Sequence, residues 1–213
     1  MPFPTAPILD TALRPHEGPP PSADWVSKVD SDDGGMKIVS QKLAPDDWSA
    51  SALWSAQFTR SQEVYATVDA FVTTGGLQEL WSNVADGGSS APSGYVFRFW
   101  HSGGGGSGEL ELDRADNGVF TRLIDTAKSL IAGDVLGGQN DNGVLYFVVN
   151  GGYEANSGDA TYEEGKIGPR CRDDSSQLLR LSNFGGGGKP SVSPDMSEAE
   201  DASNRADSGG EKG

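Results

Sequence analysis

Cysteine is nearly missing from this chain: Cys171 is the single one in 213 residues. One thiol forbids an internal disulfide and leaves no cysteine-based metal site. Histidine is scarce too. With only His16, in a proline-rich stretch, and His101, neither a histidine-rich metal centre nor a serine–histidine–acid triad is expected. No metal and no cofactor is therefore assigned. Positive charge is short: 16 Lys and Arg stand against 31 Asp and Glu, a formal net charge of -15. Binding nucleic acid needs a basic surface to neutralise phosphate, so nucleic acid is excluded as a partner. The acidity reads as solubility and repulsion between copies. Long apolar runs are absent, which excludes a bilayer-spanning helix. Residues 1–10 carry neither a basic start nor an apolar run of signal-peptide length. The expectation is a soluble chain made in the cytoplasm, without membrane insertion.

What is present is alternation. In residues 63–73, Val64, Ala66, Val68, Ala70 and Val72 fall on one face, and Tyr65, Thr67, Asp69, Phe71 and Thr73 on the other. Tyr95, Phe97 and Phe99 alternate with Val96, Arg98 and Trp100, and Leu110 and Leu112 with Glu109, Glu111 and Asp113. A period of two places successive side chains on opposite sides of a sheet. Many short strands with no helical pattern between them predict an all-β fold, an antiparallel two-sheet sandwich.

Three regions are predicted. Residues 1–21 hold Pro2, Pro4, Pro7, Pro15 and Pro19 to Pro21, and read as an extended arm without a packed element. Residues 22–184 form the sandwich, with Trp25 as the first core anchor. Strands are expected at 36–43, 52–58, 63–73, 77–84, 94–101, 108–114, 119–125, 144–149, 166–172 and 177–184. Asn117-Gly118 predicts a tight hairpin, since a type I′ turn needs positive φ. The segment 126–132 reads as a helical turn or a crossing loop. Residues 144–149 read as a strand buried on both faces. From Gly185 a glycine hinge leads into an acidic tail, 191–213, too poor in apolar residues to offset its ordering entropy.

Gly94-Tyr-Val-Phe-Arg-Phe99, Gly108-Glu-Leu-Glu-Leu-Asp-Arg114 and Asn117-Gly-Val-Phe-Thr-Arg122, then the 144–151 hairpin arm, 162–168 and 181–184, resemble concanavalin A-like jelly rolls of the laminin-G type in their order. The resemblance implies one concave and one convex antiparallel sheet. It also implies a kinship with single-domain forms found in phage particles and bacterial surface proteins. The opening strand of that family is represented only by Ile8-Leu9-Asp10, before a proline-rich insertion.

Glu111, Asp113 and Asp116 are similar to the Glu-x-Asp-x-x-Glu strand signature of glucanases built on this jelly roll. Residues two apart in a strand share a face at ~7 Å, suited to a pair of acids working on a sugar. The third acid is shortened to Asp and falls in the Asp-Asn-Gly turn, so the run reads as a solvated strand face, not a catalytic set. Asp30-Ser-Asp-Asp-Gly-Gly35 has the flavour of a calcium loop, but position twelve is Gln41 and not Glu; it reads as an Asx turn. Gly103 to Gly106 read as a hairpin tip, since the Lys-Ser/Thr of a phosphate loop is missing. Cys171, flanked by Arg170 and Arg172, reads as a buried inert thiol, and Trp25, Trp48 and Trp54 as packing residues. The residues chosen for stacking on a sugar ring are Trp81, Trp100, His101 and Tyr153.

These readings lead to a non-catalytic structural or adhesive jelly roll. It is expected to be a phage virion accessory protein (capsid decoration, or tail or fibre), multimeric, and touching other particle proteins through the N-terminal arm. The alternative is a free lectin-like module for surface glycans, with a degenerate glucanase third.

Overall fold

The computed structural model describes residues 3–71, 75–102, 106–172 and 179–188. Sixteen strands follow in chain order: β1 Ile8–Asp10, β2 Trp25–Ser27, β3 Gly34–Val39, β4 Lys42–Pro45, β5 Ser49–Ser51, β6 Leu53–Trp54, β7 Gln62–Ala70, β8 Leu77–Val84, β9 Gly94–His101, β10 Ser107–Asp116, β11 Val119–Ser129, β12 Val135–Asp141, β13 Val144–Val149, β14 Gly152–Gly158, β15 Lys166–Arg172 and β16 Arg180–Gly188. No helix among the described residues is long and apolar enough to cross a membrane.

The front sheet runs β11-β10-β9-β8-β15-β5, and the back sheet β4-β16-β7-β12-β13-β14 with β1 paired to β16. β3 joins them: Gly34 and Gly35 pair parallel with β5, while Met36 to Val39 pair antiparallel with β4. The sandwich is thus closed by hydrogen bonds along one side. On the other side it ends in β11 and β14, which touch through Lys128 and Glu154.

The alternation places the core as expected. Val64, Ala66 and Val68 on β7, Leu136 on β12 and Phe147 on β13 meet Leu80, Phe97, Phe99, Leu110 and Leu112 from the front sheet. The Phe97 ring stands edge-on to Phe147 at 5.7 Å. Gly138 leaves room for it, because any Cβ there would collide with the Phe97 ring.

The termini differ from expectation. Residues 3–12 pack on the domain, and residues 13–20 run along its surface, mostly exposed, with a backbone bridge between Glu17 and Ile38. Glu63, fully buried on the outer face of the back sheet, accepts from the Thr5 amide and hydroxyl and from the Ala6 amide, while the Tyr65 hydroxyl donates to the Ala6 carbonyl. Phe3 packs edge-on against Tyr65. Asp10 then accepts from the Ala12 amide, the Arg14 guanidinium and the Trp25 indole. A buried carboxylate must be hydrogen-bonded, and this segment supplies the donors.

Gly185 to Gly188 are not a hinge. They continue β16, opposite Tyr65 to Gln62 of β7, and Gly185, Gly186 and Gly187 are buried. Glycine is required because Tyr65, the Pro7 carbonyl, the Glu63 carbonyl and Ile167 occupy the places where side chains would stand. The expected strand 36–43 is instead the β3–β4 hairpin, turning at Ser40 and Gln41, both at positive φ. Residues 126–129 extend β11 and not a helical turn or loop. β13 is not buried on both faces throughout, since Val144 is exposed. β12 and β14 carried no readable alternation. The acidic tail and residues 103–105 of the expected tip lie outside the described residues.

Candidate ligand-binding face

The outer face of the front sheet collects the polar residues of this fold. Three ranks of side chains cross it. The first runs Arg172, Leu77, Trp100, Glu109; the second Ser51, Arg170, Glu79, Arg98, Glu111, Asp125; the third Gly168, Trp81, Val96, Asp113, Arg122.

The middle rank is a ladder of alternating charge. Arg170 donates to Asp33 at 2.8 Å, and Asp33 also accepts from Ser49 and Ser51. Glu79, fully buried, accepts from Arg98 at 2.8 Å and from the Trp81 indole at 2.9 Å, with Arg170 3.8 Å away. Arg98 reaches on to Asp113 at 2.8 Å and Glu111 at 3.2 Å. Arg122 grips the same two acids from the far side, at 2.5 and 2.8 Å, and meets Asp125 at 3.3 Å. Over Arg98 lies the Phe120 ring, which also packs edge-on against Trp81.

Burial acts most strongly on Glu79 and pushes its pKa up. The fields of Arg98 and Arg170, helped by the Trp81 hydrogen bond, outweigh it and hold the group below its ordinary value. Asp10 is likewise lowered: burial, again the largest influence, raises it, and the bonds from Arg14, Trp25 and the Ala12 amide win. A carboxyl with a depressed folded pKa adds stability that is present above its unfolded value and lost as pH falls through the folded one. Stability is therefore expected to hold from neutrality to about pH 5, and to fall steeply below about pH 4, where free carboxyls protonate. Urea midpoints at stepped pH check this; an unchanged midpoint down to pH 3 would contradict it.

The acids similar to the glucanase signature are divided by this geometry. Glu111 and Asp113 stand on the outer face but are not solvated as expected: both are buried, because Arg98, Arg122 and Phe120 lie over them, and each is bound to two arginines. Asp116 lies at the strand end, pairing with Arg114 and accepting from the Tyr162 hydroxyl, whose pKa burial and Asp116 together raise to about 12. Glu109, Glu111 and Asp125 bring carboxylate oxygens within 4.8 Å of one another, but Glu111 is already neutralised from both sides. The Asp30–Asp33 turn is an Asx turn, Asp30 accepting from the Asp32 amide, and Arg170 neutralises Asp33.

Of the four aromatic candidates, two are interior. Trp81 is fully buried in a small apolar cluster with Val29, Leu53, Val84, Val96 and Ala115 on the outer side of the front sheet. His101 is fully buried between the sheets, edge-on to Phe71 and Phe99. Trp100 is 40% and Tyr153 53% exposed, but they stand on different sheets. Tyr153 rests on Tyr146 at 4.9 Å and its hydroxyl donates to Gln139. A second exposed tryptophan is one expected to be a packing residue: Trp48 is 55% exposed, with the Arg172 guanidinium 5.5 Å from its ring centre. Arg172 and Trp100 are two strands apart in the first rank, about 10 Å across the sheet. One edge of the face thus carries tryptophan, arginine and tryptophan beside the exposed Glu109 carboxylate. Such a row can stack flat apolar ring faces and hydrogen-bond hydroxyls around them.

Fold and face together define an antiparallel jelly roll of the concanavalin A-like kind. By sequence, no protein-family model and no curated protein matches the chain. By structure it is similar to a protein of unknown function with a galectin-like fold from Bacillus subtilis, at 15% identity and TM-score 0.56, covering 85% of this chain and 96% of that one. It is similar also to the carbohydrate-binding module CBM66 from Bacillus subtilis, at 12% identity and TM-score 0.54, over 76% and 91%. A Bacillus licheniformis β-glucanase matches at 11% identity and TM-score 0.54, over 79% and 94%. Carbohydrate-binding and carbohydrate-cleaving proteins both share this architecture, and at such identities the likeness is one of fold.

Proposed function

We propose that this chain is a glycan-binding jelly roll without hydrolytic activity, and that the edge of the front face bearing Trp48, Arg172, Trp100 and Glu109 holds the sugar. The observation that carries this reading is the exposure of Trp48 and Trp100 in one row with Arg172, in a fold shared with a carbohydrate-binding module. The non-catalytic part rests on the ladder. A glycosidase needs one carboxyl free to give its proton and another free to attack or to activate water. Here Glu111 and Asp113 are each fixed by Arg98 and Arg122, and Asp116 is engaged elsewhere.

Single-site glycan affinity is weak, so display in many copies is the useful mode. Placement on a phage virion or another extracellular particle fits that need. The start of the N-terminal arm is held on the domain by Glu63, Tyr65 and Asp10, which leaves the exposed residues 15–20 as the part of the arm that would meet a neighbouring particle protein.

Affinity electrophoresis through gels containing soluble neutral and acidic polysaccharides tests the proposal. The native chain is expected to be retarded by at least one of them. Trp100→Ala and Trp48→Ala should each abolish retardation while shifting the melting midpoint by no more than a few degrees, the effect of about 1 kcal/mol in a domain of this size. Absence of retardation across the panel overturns the binding assignment. Cleavage of a β-glucan by the native chain, lost in Glu111→Gln, overturns the non-catalytic one.

A further inference from the structure

The two sides of the sandwich are unlike. β3 ties the sheets together on one side, whereas on the other the front sheet ends in β11. β11 is eleven residues long and pairs with β10 alone; no described strand hydrogen-bonds to its other edge, which β14 touches through Lys128 and Glu154. A strand edge without a hydrogen-bonded neighbour presents a row of unpaired amides and carbonyls. Its side chains are exposed too, with Val119 at 68% and Phe120 at 42%.

Charge marks this edge out. The whole chain carries -15, but β11 holds Arg122 and Lys128 against Asp125 alone, a local balance of +1. Both cations are paired with acids of the same chain, Arg122 with Glu111 and Asp113 and Lys128 with Glu154, so the strand carries little uncompensated charge to repel a second copy.

We infer that β11 is the docking surface for a second copy of this chain, whose own β11 adds antiparallel across a two-fold axis between Leu123 and Ile124. The register follows from a bulge. Leu112 pairs with Ile124 and Asp113 with Arg122, so Leu123 is an extra residue in β11. The extra residue resets the alternation of sides. As a result Arg122, aligned with Asp113, and Asp125, aligned with Glu111, lie on the same outer face although three positions apart. A two-fold axis at the bulge then sets Arg122 of each copy opposite Asp125 of the other, Thr121 opposite Thr126 and Phe120 opposite Ala127. Two-fold pairing demands a self-complementary strand, and opposite charges directly across a strand pair stabilise it. Within one chain the Arg122–Asp125 contact is the longest of the three that Arg122 makes with acids, at 3.3 Å. The two front sheets would merge into one continuous sheet, with both tryptophan edges on its outer face, giving the bivalence that weak glycan sites need.

Sedimentation velocity on the full chain gives the first test. A dimer is expected, tighter at high ionic strength because salt screens the repulsion between two acidic bodies. Asp125→Lys places like charges across both ends of the axis and should weaken the dimer at least about tenfold, while loss of the exposed Arg122–Asp125 contact moves the melting midpoint of the dilute monomer by no more than a few degrees. For the register, Thr121→Cys and Thr126→Cys proteins, mixed and oxidised, should form a disulfide-linked pair. Neither variant alone should do so, and the native Cys171 is buried. A chain that stays monomeric in high salt at its solubility limit overturns the inference. So does a dimer insensitive to Asp125→Lys whose mixed cysteine variants fail to cross-link.

Discussion

Glu79→Gln is expected to cost about 3–5 kcal/mol of folding free energy, the toll of removing one partner from a buried ion pair. Glutamine has nearly the same shape, so the loss comes from charge. Arg98 and Arg170 would remain in place with one acid fewer between them, and the Trp81 indole would lose a charged acceptor. Arg98 would still hold Asp113 and Glu111, and Arg170 would still hold Asp33, which sets the loss at the lower end of that range. The Lys37–Asp46 pair is the comparison: its Asp46 side chain is 40% exposed, and Asp46→Asn should cost between 0 and about 1 kcal/mol, as exposed pairs do. Urea unfolding at neutral pH measures both. Glu79→Gln should also flatten the decline of stability on acidification, since one of the carboxyls with a depressed pKa is gone. A loss under about 1 kcal/mol would mean that the charge ladder does not hold the front sheet together.

Gly186→Ala is expected to be about as damaging, at roughly 3 kcal/mol or more, because two penalties combine. The residue sits at φ +145°, a conformation side chains rarely adopt, and its Cβ would run into the Glu63 carbonyl and Ile167. Gly188→Ala is the control: it is exposed, its φ is not positive, and the nearest atom to an added Cβ is the Ser61 carbonyl at 4.0 Å. That change should be nearly neutral, within about 0.5 kcal/mol. Thermal unfolding of the two variants separates a strand from a hinge. If both alanines were tolerated equally, the glycine run would be a linker after all.

The local pattern decided which faces are buried, and for a physical reason. Side-chain direction alternates with every residue of a strand, so Val64, Ala66 and Val68, or Phe97 and Phe99, announce an inner face without knowledge of any partner. Asn117-Gly118 likewise announced its hairpin, since the turn's positive φ is a property of those two residues. The all-β class was legible in this way.

What the chain does with its glycines, its arm and its acids depended on partners far away in sequence. A glycine run signals equally a flexible linker and a strand pressed against a neighbour; only the presence of Tyr65 and Glu63 opposite decides between them. Prolines in residues 1–21 removed donors, but the remaining amides were enough to satisfy Glu63, about sixty positions on. The site was hidden for the same reason. Leu77, Glu79 and Trp81 alternate with Gln78, Leu80 and Ser82, two sets of mixed polarity with no legible inside. Glu79 became a buried anion only because Arg98 and Arg170 arrive from strands on either side, 19 and 91 positions later. Trp48 and Trp100 have the same side chain as Trp81. Exposure is set by what the fold lays over each ring, so the alternation could assign Trp100 to the face of Arg98 while only the tertiary structure left it open and covered Trp81.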